Sequence, residues 1–301
     1  MASLREIRRK IKSVKSTEQI TKAMKMVAAA RMRKSQLAII AARPFAVKME
    51  QMARDLAAIE TGAVDAGQDD GPVVHSFFQQ RTEGPVALVL VTGDKGLCGA
   101  FNSNLIKAAI EWLKQNEGKK VYVAAVGRKG RDFLHRLKGY DFEVITELAG
   151  IFPKVNFTHA ELLGSAAIEA YETKGLQSVT VIYNEFRSVA VQRLVTTKLL
   201  PIPAPQAAEL KNTSVADYGF EPSRPELLAA LLPRYVKAQL YRVMLESQAS
   251  ELAARMNAMD AASKNAKELR ENLNLDLNRQ RQGIITREIA ELVGGAEALS
   301  S

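Results

Sequence analysis

The sequence contains one cysteine, Cys98, which excludes an internal disulfide. Its three histidines, His75, His135 and His159, are too scattered to join Cys98 in any zinc-ligand spacing. No stretch approaches the roughly 18 consecutive apolar residues of a membrane-spanning helix, and the N-terminus has no apolar signal core. These absences point to a folded soluble protein, neither secreted nor integral to a membrane. No GxSxG, HExxH or EF-hand pattern occurs, so the common hydrolase, zinc-protease and calcium-loop chemistries lack their residues. Acidic side chains are scarce in one place. Residues 1–34 hold eleven Lys or Arg against only Glu6 and Glu18, and the formal net charge of the whole chain is +9. The remainder is balanced, so the excess forms one basic arm that needs an acidic partner: nucleic acid, an anionic membrane surface or acidic protein loops.

The same N-terminal stretch lacks glycine, proline and aromatic residues up to Arg43. Leu4, Ile7, Ile11 and Val14 recur at helical steps. The pattern predicts a helix reaching about Ile59, roughly 90 Å long at 1.5 Å per residue, with Pro44–Phe45 as the first plausible kink. Gly62, Gly67, Asp69–Pro72 and Gly84–Pro85 read as the loop that closes it. The period then changes. Val86–Thr92, Val121–Val126 and Phe142–Ile145 read as strands, separated by helical faces at Leu105–Leu113 and Phe133–Leu137. A helix opened by a Thr158–Glu161 capping box follows. A hairpin then has arms Val179–Tyr183 and Val189–Leu199. Strands alternating with helices imply a mainly parallel, Rossmann-like sheet with one antiparallel edge strand.

Prolines 201, 203 and 205 end that region, and the polar stretch to Pro222 and Pro225 reads as a linker. From Glu226 to Val293 only Pro233 and Gly283 interrupt a helical pattern whose seam is Met259, Ala262, Ala266, Leu269, Leu273, Leu277, Gln280 and Ile284. Eight of the methionines fall in the two terminal helices, as gap-fillers of a helix seam. The economical arrangement is an antiparallel two-helix coiled coil made by the chain's ends, with an α/β domain inserted between them. The expected divisions are an N-terminal shaft helix at 1–75, an α/β foot at 76–205, a variable linker at 206–225 and a C-terminal shaft helix at 226–301.

The glycine-rich turn Thr92–Gly99 between a strand and a helix invites a phosphate-binding reading. However, Gly93, Gly96 and Gly99 match neither the dinucleotide nor the P-loop spacing, and the second strand ends in Gly127–Arg128 without a ribose-binding acid. A structural turn is the expectation, with Lys95 a solvated charge or partner contact and Cys98 a small buried hydrophobe. His159 is expected on a helix surface.

Four runs together carry a resemblance: ITKAMKMVAAARMRK from Ile20, TGDKGLCGAFNSNL from Thr92, ASELAARMNAMDAASKNA from Ala249 and NRQRQGIITREIAELVGGA from Asn278. In this order they resemble the γ subunit of F-type ATP synthase, nearly end to end. The resemblance implies that the terminal helices form the central rotor shaft inside a ring of three α and three β subunits. It implies that the α/β domain forms a foot against ε and the c-subunit ring. It places Met24 on the face passing acidic β loops, and Arg281, Gln282 and Thr286 where the C-terminal helix meets β; Lys95, Gly96, Cys98 and Gly99 form the foot loop. It implies no catalytic residue, metal, cofactor, nucleic acid or small-molecule ligand. The implied role is mechanical: proton flow turns the shaft, which drives the β sites through different affinities and regulates ATPase activity. Gly283 stands where the family commonly has alanine, and the paired cysteines of the chloroplast form are absent. A start directly at the helix looks bacterial, which implies the cytoplasmic face of the plasma membrane. Two rival readings are a nucleic-acid-binding coiled coil, disfavoured by the missing aromatics, and a nucleotide-using α/β enzyme, disfavoured by the missing acid.

Overall fold

The computed structural model describes residues 3–60, 75–152, 154–203 and 223–300. The loop expected at Gly62–Pro72 and the body of the linker, 204–222, lie outside the described residues. The chain divides into two compact units, one of residues 1–28 with 255–301 and one of residues 29–254.

In the larger unit the strands β1 (Val86–Val91), β2 (Val121–Val126), β3 (Phe142–Leu148), β4 (Ser178–Phe186) and β5 (Gln192–Leu200) form one sheet in the order β3-β2-β1-β4-β5. The first four are mutually parallel and β5 pairs antiparallel to β4, with Val181 opposite Thr197. The sheet is therefore the mainly parallel one expected, with its antiparallel strand at the edge. β1 is buried along its whole length because successive side chains point to opposite faces and both faces are covered. Val86, Leu88 and Leu90 pack with Phe101, Leu105, Ala109 and Leu113 of α2 (Phe101–Gln115). Ala87, Val89 and Val91 belong to the core on the opposite face, which includes Leu163, Leu232, Val236 and Leu240.

That second face is covered by α4 (Phe157–Thr173), part of α1 (Leu4–Glu60) and part of the last helix, α5 (Arg224–Ser300). Between residues 243 and 253 every side chain of α5 is buried, as befits a helix enclosed on all sides. Gly164 permits this packing, since a Cβ there would lie 2.7 Å from Lys237 Cγ. The short α3 (Arg128–Leu134) lies between β2 and β3.

Several boundaries differ from those expected. Both terminal helices continue through proline, α1 through Pro44 and α5 through Pro233, and α5 also runs through Gly283. The last helix starts at Arg224, so Pro225 lies in its first turn, where a fixed φ fits and no N–H partner is lost. α4 begins at Phe157 with Asn156 as N-cap, and His159 Nδ1 accepts the Asn156 N–H at 3.1 Å. His159 thus acts in the cap, in a box two residues before the Thr158–Glu161 box read from sequence. The hairpin turn sits after Phe186, because the ladder continues to the Phe186–Gln192 pair.

Candidate functional site

In the smaller unit two helix segments run antiparallel. Lys25 Nζ meets Asp260 Oδ1 at 2.5 Å, Lys264 reaches the other Asp260 oxygen at 3.0 Å, and Arg270 Nε meets Glu18 Oε2 at 2.8 Å. Residues rising in number on α1 therefore face residues falling in number on α5. Lys25 and Lys264 together hold the Asp260 carboxyl below its ordinary pKa, Lys25 contributing most.

The seam of α1 repeats at alternating steps of three and four: Ile7, Ile11, Val14, Glu18, Thr21, Lys25 and Ala28 are each buried or half-buried. That is the heptad of a coiled coil. Its middle is polar, and Glu18 and Lys25 occupy seam positions opposite Arg270 and Asp260. Each tip matches a particular partner, which fixes register in the manner of polar residues at coiled-coil seams. On α5 the seam runs Met259, Ser263, Ala266, Arg270, Leu273, Leu277 and Gln280. Leu269, expected in the seam, is 50% exposed, and Arg270 takes its place to reach Glu18. Ile284, also expected there, is exposed. Of the methionines, Met32, Met49, Met244 and Met259 are buried, whereas Met26 is 60% exposed.

Met24 is half-buried beside the Lys25–Asp260 pair. Arg281, Gln282 and Thr286 lie together on the last part of α5, where every side chain from 281 to 295 is exposed. That stretch also carries Ile284, Ile285, Ile289, Leu292 and Val293 on its surface. So many exposed β-branched and leucine side chains on one helix mark a surface made for a partner.

The loop after β1 is a stapled turn. Asp94 accepts three backbone N–H groups, from Arg128 at 2.9 Å and Gly150 at 2.8 Å on Oδ1 and from Phe152 at 2.9 Å on Oδ2. Asn102, in the first turn of α2, accepts the Gly93 N–H at 2.9 Å and donates to the Lys95 carbonyl at 3.2 Å. Thr92 Oγ1, fully buried, donates to the Val126 carbonyl and accepts the Gly130 N–H at 2.7 Å. Gly127 is required here: its φ is +89° and a Cβ would fall 2.2 Å from the Thr92 carbonyl oxygen. The amides at the carboxyl ends of the strands, where open parallel sheets receive phosphates, are thus taken by the protein's own carboxylate. Glu251 of α5 adds a second carboxylate beside Gly93, its Cγ 3.2 Å from where a Cβ would stand. Gly99 adopts φ +57°, Cys98 is buried in the core under α2, and Lys95 and Gly96 are exposed on the turn. Leu97 between them has φ +62° and is 64% exposed. Sequence reasoning passed over Asp94, Asn102 and Leu97; an Asp in a tight turn and an Asn opening a helix were the available signals.

A family model described as ATP synthase matches residues 3–299. The ATP synthase gamma chain of Elusimicrobium minutum is 42% identical over 100% of both chains, and that of Desulfitobacterium hafniense is 44% identical over 99% of this chain and 100% of its own. The chain belongs to the ATP synthase gamma chain family. Among solved structures, a chain from the central stalk and c-ring of Tetrahymena thermophila mitochondrial ATP synthase aligns with TM-score 0.58 and 26% identity, covering 81% of this chain and 99% of that one. Long terminal helices flanking a mainly parallel sheet are thus a shared family architecture. Among the described residues no helix is long and apolar enough to cross a membrane.

Proposed function

We propose that this chain is the central rotor stalk of the F1 part of an ATP synthase, turning inside a ring of three α and three β subunits. The observation that carries the reading is the end of α5, an exposed helical surface from 281 to 295 bearing five large aliphatic side chains. Apolar side chains grouped on an exposed helix in this way mark a surface that a partner covers. A ring of subunits around the shaft end is such a partner.

On this reading the chain is a subunit that performs no bond chemistry of its own. Asp94 and Glu251 fill with negative charge the place where a nucleotide phosphate would need donors. The terminal segments 1–75 and 226–301 act as the shaft, 76–205 as the foot and 206–225 as a linker of variable length. Met24 with the basic arm passes acidic β loops, while Arg281, Gln282 and Thr286 touch β near the shaft end. The Lys95–Gly99 turn is a further partner contact, supported by the exposed Lys95, Gly96 and Leu97 on its rim. The foot meets ε and the c-ring, and the complex sits peripherally on the cytoplasmic face of a bacterial plasma membrane.

Proton flow through the c-ring rotates the shaft, whose unequal faces bring the three β sites to different affinities in turn. Hydrolysis runs the cycle backwards, and the stalk's contacts regulate that ATPase activity. Reconstitution of α and β with and without this chain tests the reading. The chain should raise ATPase turnover severalfold and, with ε and a c-ring in vesicles, restore ATP-driven proton pumping. Turnover that is indifferent to the chain, or tight binding of duplex DNA in the presence of α and β, would overturn it.

A further inference from the structure

In the larger unit, α1, the connection before α4, and α5 enclose a crevice of about 390 Å³ that opens to solvent. Every charged residue lining it is a cation: Arg31 and Lys34 of α1, and Lys154 of the connection. All three are exposed, and none has a carboxylate partner among the described residues. Of the buried acids on α5, Glu246 opens on a different crevice beside Arg43 and Arg242, where burial pushes its pKa up, and Glu251 lies against Gly93. Neither lines this one.

Beside these cations lies Ser35, which is only 5% exposed. What remains of its surface opens on the crevice, and its hydroxyl has no hydrogen-bond partner among the described residues. A serine inside a helix commonly returns its proton to a carbonyl one turn back, as Thr21 of the same helix does to Thr17 at 2.9 Å; Ser35 does not. A polar group so buried costs free energy unless something accepts its proton. Asn156, the N-cap of the 17-residue α4, also lines the crevice, which adds the positive end of that helix's dipole. A solvated basic face would account for the cations but not for the unused hydroxyl, and an anion satisfies both.

A single phosphate carries about −1.5 to −2 near neutral pH, which leaves one of three cations without a match. The crevice is also as large as sites that hold small molecules, roughly 300–1,000 Å³. Its remaining walls, Ala38, Val155 and Leu245 among them, offer no aromatic ring on which a base could stack. We propose that this crevice binds a diphosphate group, free as pyrophosphate or carried at the end of a nucleoside diphosphate. Ser35 donates to a phosphoryl oxygen, and Arg31, Lys34 and Lys154 neutralise the charge. The base is not read, so both sources fit equally. This site is separate from the glycine-rich turn after β1, whose amides Asp94 occupies. It is also distinct from the rest of the basic arm, because Lys154 comes from another element.

The test is calorimetric titration of the purified full chain with pyrophosphate, ADP and inorganic phosphate, without divalent metal, at about 0.1 M salt, where attraction beyond about 10 Å is screened. Pyrophosphate and ADP should bind saturably with dissociation constants within about threefold of each other, and inorganic phosphate at least about tenfold more weakly. Ser35→Ala leaves every charge in place and should weaken pyrophosphate binding about tenfold, the loss of one hydrogen bond to a charged acceptor. Lys34→Gln with Lys154→Gln should weaken it at least about tenfold, whereas Lys10→Gln with Lys12→Gln, which removes the same charge from the smaller unit, should change it less than about threefold. The proposal is overturned by any of the following: no saturable heat with pyrophosphate, inorganic phosphate binding as tightly, or ADP binding more than about threefold tighter, which would mean that the base is read. It is equally overturned by wild-type binding in Ser35→Ala, by equal losses in the two lysine pairs, or by a glutamate-rich peptide that binds as tightly as pyrophosphate and so marks a seat for an acidic protein loop. The substituted lysines are exposed, so the two pairs decide the matter should Ser35→Ala fail to fold.

Discussion

Individual residues in the loop after β1 do the work that a bound ligand does in other open parallel sheets. Asp94 collects amides from two separate connections, those after β2 and after β3, and so ties three strand ends together. Hydrogen bonds to a charged acceptor contribute about 1.5–3 kcal/mol each in favourable cases, and Asp94 is only partly buried, so water replaces some of the loss. Asp94→Ala should lower the unfolding free energy by about 2 kcal/mol, measured by urea titration, and Asp94→Asn should not rescue it, since one amide N–H would then face an N–H. Gly127→Ala should cost more, above about 3 kcal/mol, because a clash with the Thr92 carbonyl adds to a left-handed φ. A variant as stable as the wild type would show that the loop is not held by these contacts. Glu246 gives a prediction of a different kind. Its folded pKa is raised above the ordinary 4.5, so its contribution is fully present below that value and is lost as pH rises through the folded pKa. Glu246→Gln should therefore match the wild type near pH 4 and become progressively more stable than it as pH rises toward about 8. A difference that is flat with pH would place the carboxyl's pKa at its unfolded value.

Among the elements, those with a strong period were legible and those decided by partners were not. β1 and β2 are short apolar runs bounded by turn residues, and the alternation of helix and strand sufficed to give the parallel sheet and its antiparallel edge. The α5 seam was misread at Leu269 because hydropathy alone prefers a leucine to Arg270, and only the position of Glu18 on the other helix reverses that choice. Asn156 was missed as a cap because Thr158 and Glu161 offered a familiar spacing two residues later, while the true box uses a histidine. The proposed contacts of Met24 and of Arg281, Gln282 and Thr286 cannot be read from periodicity at all, because they would be made to other chains; only the resemblance suggests them. Gly283 is a weak position in the exposed end of α5, as are Gly294 and Gly295, and a Cβ at any of the three would meet nothing within 4 Å. Gly283→Ala should stabilise this segment by about 1 kcal/mol, seen as roughly fivefold slower amide exchange around it in the isolated chain. Exchange that does not change would mean that the segment's opening is set elsewhere.

For the molecule as a whole, a rotating stalk must hold each β subunit firmly enough to select its conformation and loosely enough to leave it. An added strong contact should therefore impede coupling more than a lost one. Met24 is half-buried on the two-helix unit next to a cation already engaged by Asp260, so a new lysine there has no acid of its own within the seam to satisfy it. If position 24 faces acidic β loops, as proposed, Met24→Lys would form a charge-assisted bond of about 1.5–3 kcal/mol in one rotational state, and that bond becomes a barrier to the next. Arg281→Ala with Gln282→Ala acts in the opposite sense, removing donors from an exposed part of α5 and weakening what the shaft end transmits. In reconstituted vesicles, Met24→Lys should keep substantial ATP hydrolysis but pump fewer protons per ATP, and the double variant should lose hydrolysis and pumping together. Raised salt should partly restore coupling to Met24→Lys by screening the new contact, and should do nothing for the double variant. Normal coupling in Met24→Lys together with normal turnover in the double variant would mean that neither position faces a β subunit, and that the stalk engages its ring through other residues.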